Sequence, residues 1–301
     1  MPLDPVAAQI NDAIQASKKD APPLAVETLR VGYAELIGAI GTPKTTCAVE
    51  PIEVEDRPAL SFTPPVHDDG LLVWFHGGGW VINSPELAIN EVDRLAVAAR
   101  CRAVSVDYRQ APEHPFPAPQ LDAVVTASWC AAHAAELGAA PRRVAVGGDS
   151  AGGNLAAVAA QRVDDLCAQV LVYPACDLRD ETRARYPYLE GYVLDGAAIE
   201  FFMSCATGDA DLWDPMLSPA LATPEILGAT PPAMVITAEY DPLRDDARGY
   251  ADALRAAGVQ VETRHYDDQS HLFFSMPEIL EGARDAIEAA GSFLRDRFDE
   301  A

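Results

Sequence analysis

Ser150 sits in Gly148-Asp149-Ser150-Ala151-Gly152-Gly153, after the apolar run Val144–Gly147 and before an alanine-rich pattern that starts at Ala151. G-x-S-x-G between a strand and a helix presents a serine hydroxyl at a sharp turn above a sheet. The positions two before and two after the serine come close to its backbone, and glycine fits there. Helix amides behind the serine favour an anion forming beside it. The chemistry this predicts is nucleophilic attack on an acyl group. A serine capping a helix after a glycine turn is the structural alternative. The strand before and the helix after favour the nucleophile.

A serine nucleophile needs a base, an acid to orient the base, and donors for the oxyanion. On a strand–turn–helix scaffold of this kind the chain order is Ser, then Asp or Glu, then His. Only His265 and His271 follow Ser150. His265 lies inside the alternating run Val261–Tyr266, whereas His271 follows it in a loop, so His271 is the expected base. Asp241 follows the apolar run Ala233–Ala238 and precedes Pro242, which fixes a turn. It is the expected acid. Asp245 and Asp246 are rivals, but the first turn of a helix attracts acids for its dipole alone. Glu239 is a neighbour that supports the site without reacting.

His76-Gly77-Gly78-Gly79-Trp80 follows the apolar run Leu71–Phe75. Three glycines let a loop fold back with its amides facing inward, as lipase and esterase oxyanion loops do. The expected donors are the amides of Gly77, Gly78 and Ala151. Trp80, Asp149 and Leu272 are the candidate substrate contacts, with core packing as the alternative for Trp80. A phosphate loop fails on spacing, because neither G-x-x-x-x-G-K-[ST] nor a helix-opening G-x-G-x-x-G after the first strand is present.

The elements that must hold these residues alternate. Short β-branched runs, at Pro51–Val54, Ala59–Thr63, Leu71–Phe75, Ala103–Asp107, Val144–Gly147, Gln169–Tyr173, Ala233–Ala238 and Val261–Tyr266, read as strands. Helical patterns cover Pro85–Arg100, Pro117–Glu136, Ala151–Arg162, Arg244–Ala257 and Pro277–Phe298, with Gly138 and Gly258 as stops. The class is therefore α/β, an open and mostly parallel sheet with helices on both faces. Ligands then bind at the carboxyl edge of the strands. Two stretches break the alternation: residues 1–45, and residues 177–229, which carry Tyr186, Tyr188, Tyr192, Phe201, Phe202 and Trp213. Both fit a cap over that edge. The catalytic part is then 46–176 with 230–301.

The formal net charge of −24 over 301 residues disfavours nucleic acid and anionic lipid as partners. Six cysteines form no C-x-x-C pair and no zinc pattern, which predicts no metal and a reducing, cytoplasmic setting. The start of the chain carries Asp4, Asp12 and Asp20 with no apolar h-region, and no membrane span is expected.

With H-G-G-G-W at 76–80, D-Y-R-Q-A-P-E-H-P-F-P-A-P at 107–119, G-D-S-A-G-G at 148–153, E-Y-D-P-L-R-D at 239–245 and His271, the chain resembles the bacterial hormone-sensitive-lipase-like (family IV) esterases of the α/β-hydrolase superfamily. The resemblance runs over nearly the whole chain. It implies an eight-stranded sheet with one antiparallel strand near the N-terminus and a helical cap, and homodimers are common among such esterases; the triad itself requires no cofactor. It also implies that Asp107, Tyr108, Glu113 and His114 brace the oxyanion loop. One departure stands out: relatives place glycine and phenylalanine after the catalytic histidine, and this chain has Leu272 and Phe273.

The function this implies is a serine carboxylesterase acting on short-chain acyl esters, with a small-molecule ester as the partner. The alternatives are another acyl bond on the same triad (arylformamide, lactone or amide) and a non-catalytic receptor of the same fold. His271 stands against the receptor.

Overall fold

The computed structural model describes residues 1–18, 23–40, 45–179 and 190–301. Tyr186 and Tyr188, expected in a cap, lie outside the described residues. The elements begin with helices α1 (Pro5–Lys18) and α2 (Val26–Ile40). Then come β1 (Ala48–Val54), β2 (Arg57–Thr63), β3 (Leu71–Phe75), α3 (Ile89–Ala99), β4 (Arg102–Val106), α4 (Ala118–Ala132), β5 (Val144–Asp149), α5 (Ala151–Ala160) and β6 (Leu166–Val172). The remainder is α6 (Gly196–Thr207), the short α7 (Pro224–Gly228), β7 (Ala233–Tyr240), α8 (Arg244–Ala256), β8 (Val261–Ser270) and α9 (Glu281–Glu300).

The eight strands form one sheet in the order β1-β2-β4-β3-β5-β6-β7-β8. β2 is antiparallel to both neighbours, and every pairing from β4 through β8 is parallel. Strands covered on both faces need apolar side chains at every position. β3 reads Leu-Leu-Val-Trp-Phe and all of it is buried. Its residues divide by the two-residue period of a strand. Leu71, Val73 and Phe75 enter one core, shared with residues of α4, α5 and α8. Leu72 and Trp74 enter a second core, shared with α3 and α9.

Helix ends follow local chemistry. Gly258 (φ 92°) and Gly138 (φ 74°) both turn left-handed, as expected of stops. The helix expected to run to Glu136 ends at Ala132, however, and the next six residues continue as turns. β8 is longer than its alternating run, reaching Ser270 and absorbing residues expected as loop. A register shift between Ala238 and Tyr240 on β7 carries the pairing to Tyr240↔Ser270. That extension delivers His271 to the sheet edge.

Helix α1 is tied to the segment before α6 by polar contacts. Asn11 and Gln15 of α1 donate to the carbonyls of Gly191 (3.0 Å) and Tyr192 (2.7 Å), and Lys18 pairs with Asp195 at 2.7 Å. Among the described residues no helix is long and apolar enough to cross a membrane.

Candidate active site

Five consecutive parallel strands each contribute one piece at the carboxyl end: His76 after β3, Ser150 after β5, Tyr173 after β6, Asp241 after β7 and His271 after β8. The sheet thereby brings together groups far apart in the chain.

Ser150 stands at the turn from β5 into α5 with φ 55° and ψ −119°, a left-handed backbone that a serine enters only under constraint. Its amide donates to the Val172 carbonyl at 2.8 Å. The elbow closes tightly around it. A side chain on Gly148 would strike the Gly152 backbone, and one on Gly152 would strike the carbonyls of Phe75 and His76. Small residues are therefore obligatory at both places.

His271 Nε2 lies 3.0 Å from Ser150 Oγ, and its Nδ1 lies 2.8 Å from Asp241 Oδ2. The other carboxylate oxygen of Asp241 accepts the Leu243 amide at 2.8 Å. With Nδ1–H donated to a carboxylate, Nε2 is left with a lone pair facing the hydroxyl. All three residues are buried, Ser150 at 8%, His271 at 5% and Asp241 at 0% exposure, so their mutual contacts are little screened by water. The rival acids are committed elsewhere. Asp246 accepts the Cys176 amide at 2.8 Å, and Asp245 pairs with Arg244 at 2.8 Å. His265 meets Thr237 and Glu239 at 3.0 and 3.1 Å, in line with its place inside a strand.

The glycine loop corrects two expectations. Gly77 was expected to donate to an oxyanion, yet its single N–H is donated to Asp149 Oδ1 at 2.8 Å. Asp149 was expected to touch substrate, yet it is fully buried beneath the loop and holds that amide. The amides of Gly78, Gly79 and Ala151 have no acceptor among the described residues. Trp80, a candidate pocket wall, is packed into the core instead, and its carbonyl accepts the Ala111 amide at 2.8 Å. Leu272 follows His271 with φ 71°, the left-handed region where glycine is at ease.

Of the four residues expected to brace the loop, Tyr108 does so directly. Its hydroxyl donates to the His76 carbonyl at 2.8 Å, and its ring stacks on the His76 imidazole at 4.5 Å. Burial pushes His76 down to about 4, so it stays neutral. Glu113 acts through Arg30, with which it pairs at 2.6 Å, while Arg30 Nε donates to the Val81 carbonyl at 2.9 Å. The amides of Asp107 and His114 donate to Pro58 and Gln110, away from the loop.

Tyr173 and Glu91 escaped the sequence reading as site residues, and Phe202 was read only as part of the cap. Phe202 of α6 covers Gly79 so closely that a Cβ there would enter its ring. Tyr173, at φ 36°, places its ring 4.5 Å from the His271 imidazole. Glu91 of α3 is 1% exposed in the same region. Only Gly79, inside the glycine run, carried a local signal for its neighbourhood. A cavity of about 10 Å³, room for one water, touches His271 and is lined by Ala7, Ile10, Val193 and Met276 among others.

The fold and this constellation define an α/β hydrolase, and residues 72–275 match the model of the alpha/beta hydrolase fold family, to which the chain belongs. Carboxylic ester hydrolase LipN of Mycobacterium tuberculosis is 40% identical over 238 residues, 75% of this chain and 62% of that protein. Carboxylesterase NlhH of the same organism is 38% identical over 77% of this chain and 75% of its own length. In structure, the hyperthermophilic esterase of the archaeon Pyrobaculum calidifontis superposes with a TM-score of 0.89 at 34% identity, covering 98% of this chain and 99% of that one. The match thus spans just under two thirds of LipN and nearly all of the Pyrobaculum enzyme.

Proposed function

We propose that this chain is a serine carboxylesterase that hydrolyses short-chain acyl esters through an acyl-enzyme. The carrying observation is the chain of contacts from Asp241 Oδ2 to His271 Nδ1 at 2.8 Å and from His271 Nε2 to Ser150 Oγ at 3.0 Å. Ser150 Oγ attacks the ester carbonyl carbon as its proton passes to His271 Nε2. Asp241 holds the tautomer and stabilises the imidazolium. The C–O bond breaks, and the leaving alcohol takes that proton. Water, deprotonated by the same imidazole, then attacks the acyl carbon; the C–Oγ bond breaks, Ser150 Oγ takes the proton back from His271, and the acid is released.

The tetrahedral oxyanion lies against the amides of Gly78, Gly79 and Ala151, which have no acceptor among the described residues. One such donor is worth about 10²–10³ in rate. Asp149 acts on this loop from below by holding Gly77.

The helices of residues 1–45 and the 177–229 segment act as a cap. The bonds from α1 to Gly191, Tyr192 and Asp195, and the seat of Phe202 on Gly79, support that division. A cytoplasmic setting is supported by six cysteines that are all free thiols. A homodimer, common among such esterases, completes this reading, and sedimentation in solution tests it.

Ser150→Ala decides the catalytic assignment. Turnover of p-nitrophenyl butyrate should collapse, leaving at most about 10³–10⁴ over the uncatalysed rate. A variant that keeps most of its activity would exclude Ser150 as the nucleophile.

A further inference from the structure

A glutamate at 1% exposure in the first turn of a helix has no place in a plain hydrophobic layer. Glu91 stands there on α3. Its Oε1 accepts from the Ser275 hydroxyl at 3.4 Å, and its Oε2 has no partner among the described residues. Ser275 ends the turn Phe273–Ser275 that directly follows His271-Leu272, and its amide donates to the Leu272 carbonyl at 3.1 Å. Asp149 is fully buried, with Oδ1 on the Gly77 amide and Oδ2 unpartnered among the described residues. The ionisable groups that face Glu91 are Asp149 from β5, Tyr33 from α2 and Tyr173 after β6. The Tyr173 hydroxyl lies beside Ser275, short of good hydrogen-bond geometry, and its ring contacts His271.

We infer that Glu91 is a positioning residue that braces the turn after His271 through the Ser275 hydroxyl. It touches neither substrate nor the reacting atoms. Two carboxyls in one apolar layer do not both ionise. Burial first, and the charge of Asp149 second, push Glu91 well above the usual carboxylate range. Glu91 therefore keeps its proton, and Asp149 carries the single charge that holds Gly77. A neutral, hydrogen-bonding side chain is what the position requires.

The inference rests on the esterase reading and is tested by steady-state kinetics on p-nitrophenyl butyrate from pH 5 to 9. Glu91→Gln keeps a neutral polar group and should stay within about three-fold of wild type in kcat, with the same pH profile. Glu91→Leu fills the same space without a hydrogen bond. It should melt no lower than wild type, because a buried polar group has been replaced by an apolar one. Its kcat should fall about 10- to 100-fold with KM nearly unchanged, because the turn that carries the histidine loses its anchor. A folded Glu91→Leu enzyme with wild-type kcat overturns the inference. So does a Glu91→Gln enzyme as slow as Glu91→Leu. A wild-type protein inactive on every p-nitrophenyl ester would instead remove the esterase reading beneath it.

Discussion

The strain at this site is concentrated in a few backbones. Ser150 and Leu272 flank the Ser–His contact, both with positive φ, at 55° and 71°. Each such non-glycine position costs about 1–3 kcal/mol and persists only where the surroundings enforce it. At Ser150 the enforcement is the glycine-lined elbow. At Leu272 it is packing against both cores. Asp149 stores a different cost. Burial pushes its carboxyl from 3.8 up to about 6, partly offset by the Gly77 amide. A raised carboxyl binds its proton more tightly in the folded protein, so stability is highest below the unfolded value and falls as pH rises through 6. Asp149→Asn removes that penalty. It should melt above wild type at pH 8, by a margin worth about 2–3 kcal/mol, and the gap should close towards pH 4. A gap that does not change with pH would refute the buried charge.

The convergence of Ser150, Asp241 and His271 was legible because each follows an apolar strand in the required order. The donor role of Gly77 was misread. Whether an amide in a glycine run is free or bonded depends on a carboxylate 72 positions away. Glu91 was invisible for a related reason, since an acid in a first helical turn answers the helix dipole wherever it occurs.

At the scale of elements, every predicted strand is present, because a parallel sheet buried on both faces demands unbroken apolar runs. The errors lie at ends: α4 stops early, and β8 runs on to Ser270. Backbone pairing with β7, through its register shift, overrode a polar stretch that read as loop. The segment between β6 and β7 was recognisable as an insertion, but not what it touches. α6 lays Phe202 on Gly79, a loop glycine whose amide faces the reacting oxygen in our mechanism. That ring should bound the acyl side of the site. Phe202→Ala should raise kcat/KM for p-nitrophenyl octanoate relative to butyrate by about 10-fold or more, on the scale of a few methylenes in an apolar pocket. An unchanged ratio would place the acyl chain elsewhere.

The whole molecule makes the site. Ser150 and His271 are 121 positions apart, and Asp241 lies 30 before the histidine, so no local segment contains the chemistry. Only the closed order of β5, β6, β7 and β8 sets the three side by side. The excess of 46 acidic over 22 basic residues plays no part in that geometry and acts on solubility and on repelling polyanions. The decisive measurement is covalent trapping with a p-nitrophenyl alkylphosphonate, read by intact mass and peptide mapping. The folded chain should take up one phosphonyl group, on Ser150, in step with loss of esterase activity, and the chain unfolded in urea should take up none. Inactivation with the adduct on another residue, or equal labelling of the unfolded chain, would contradict a nucleophile assembled by the fold.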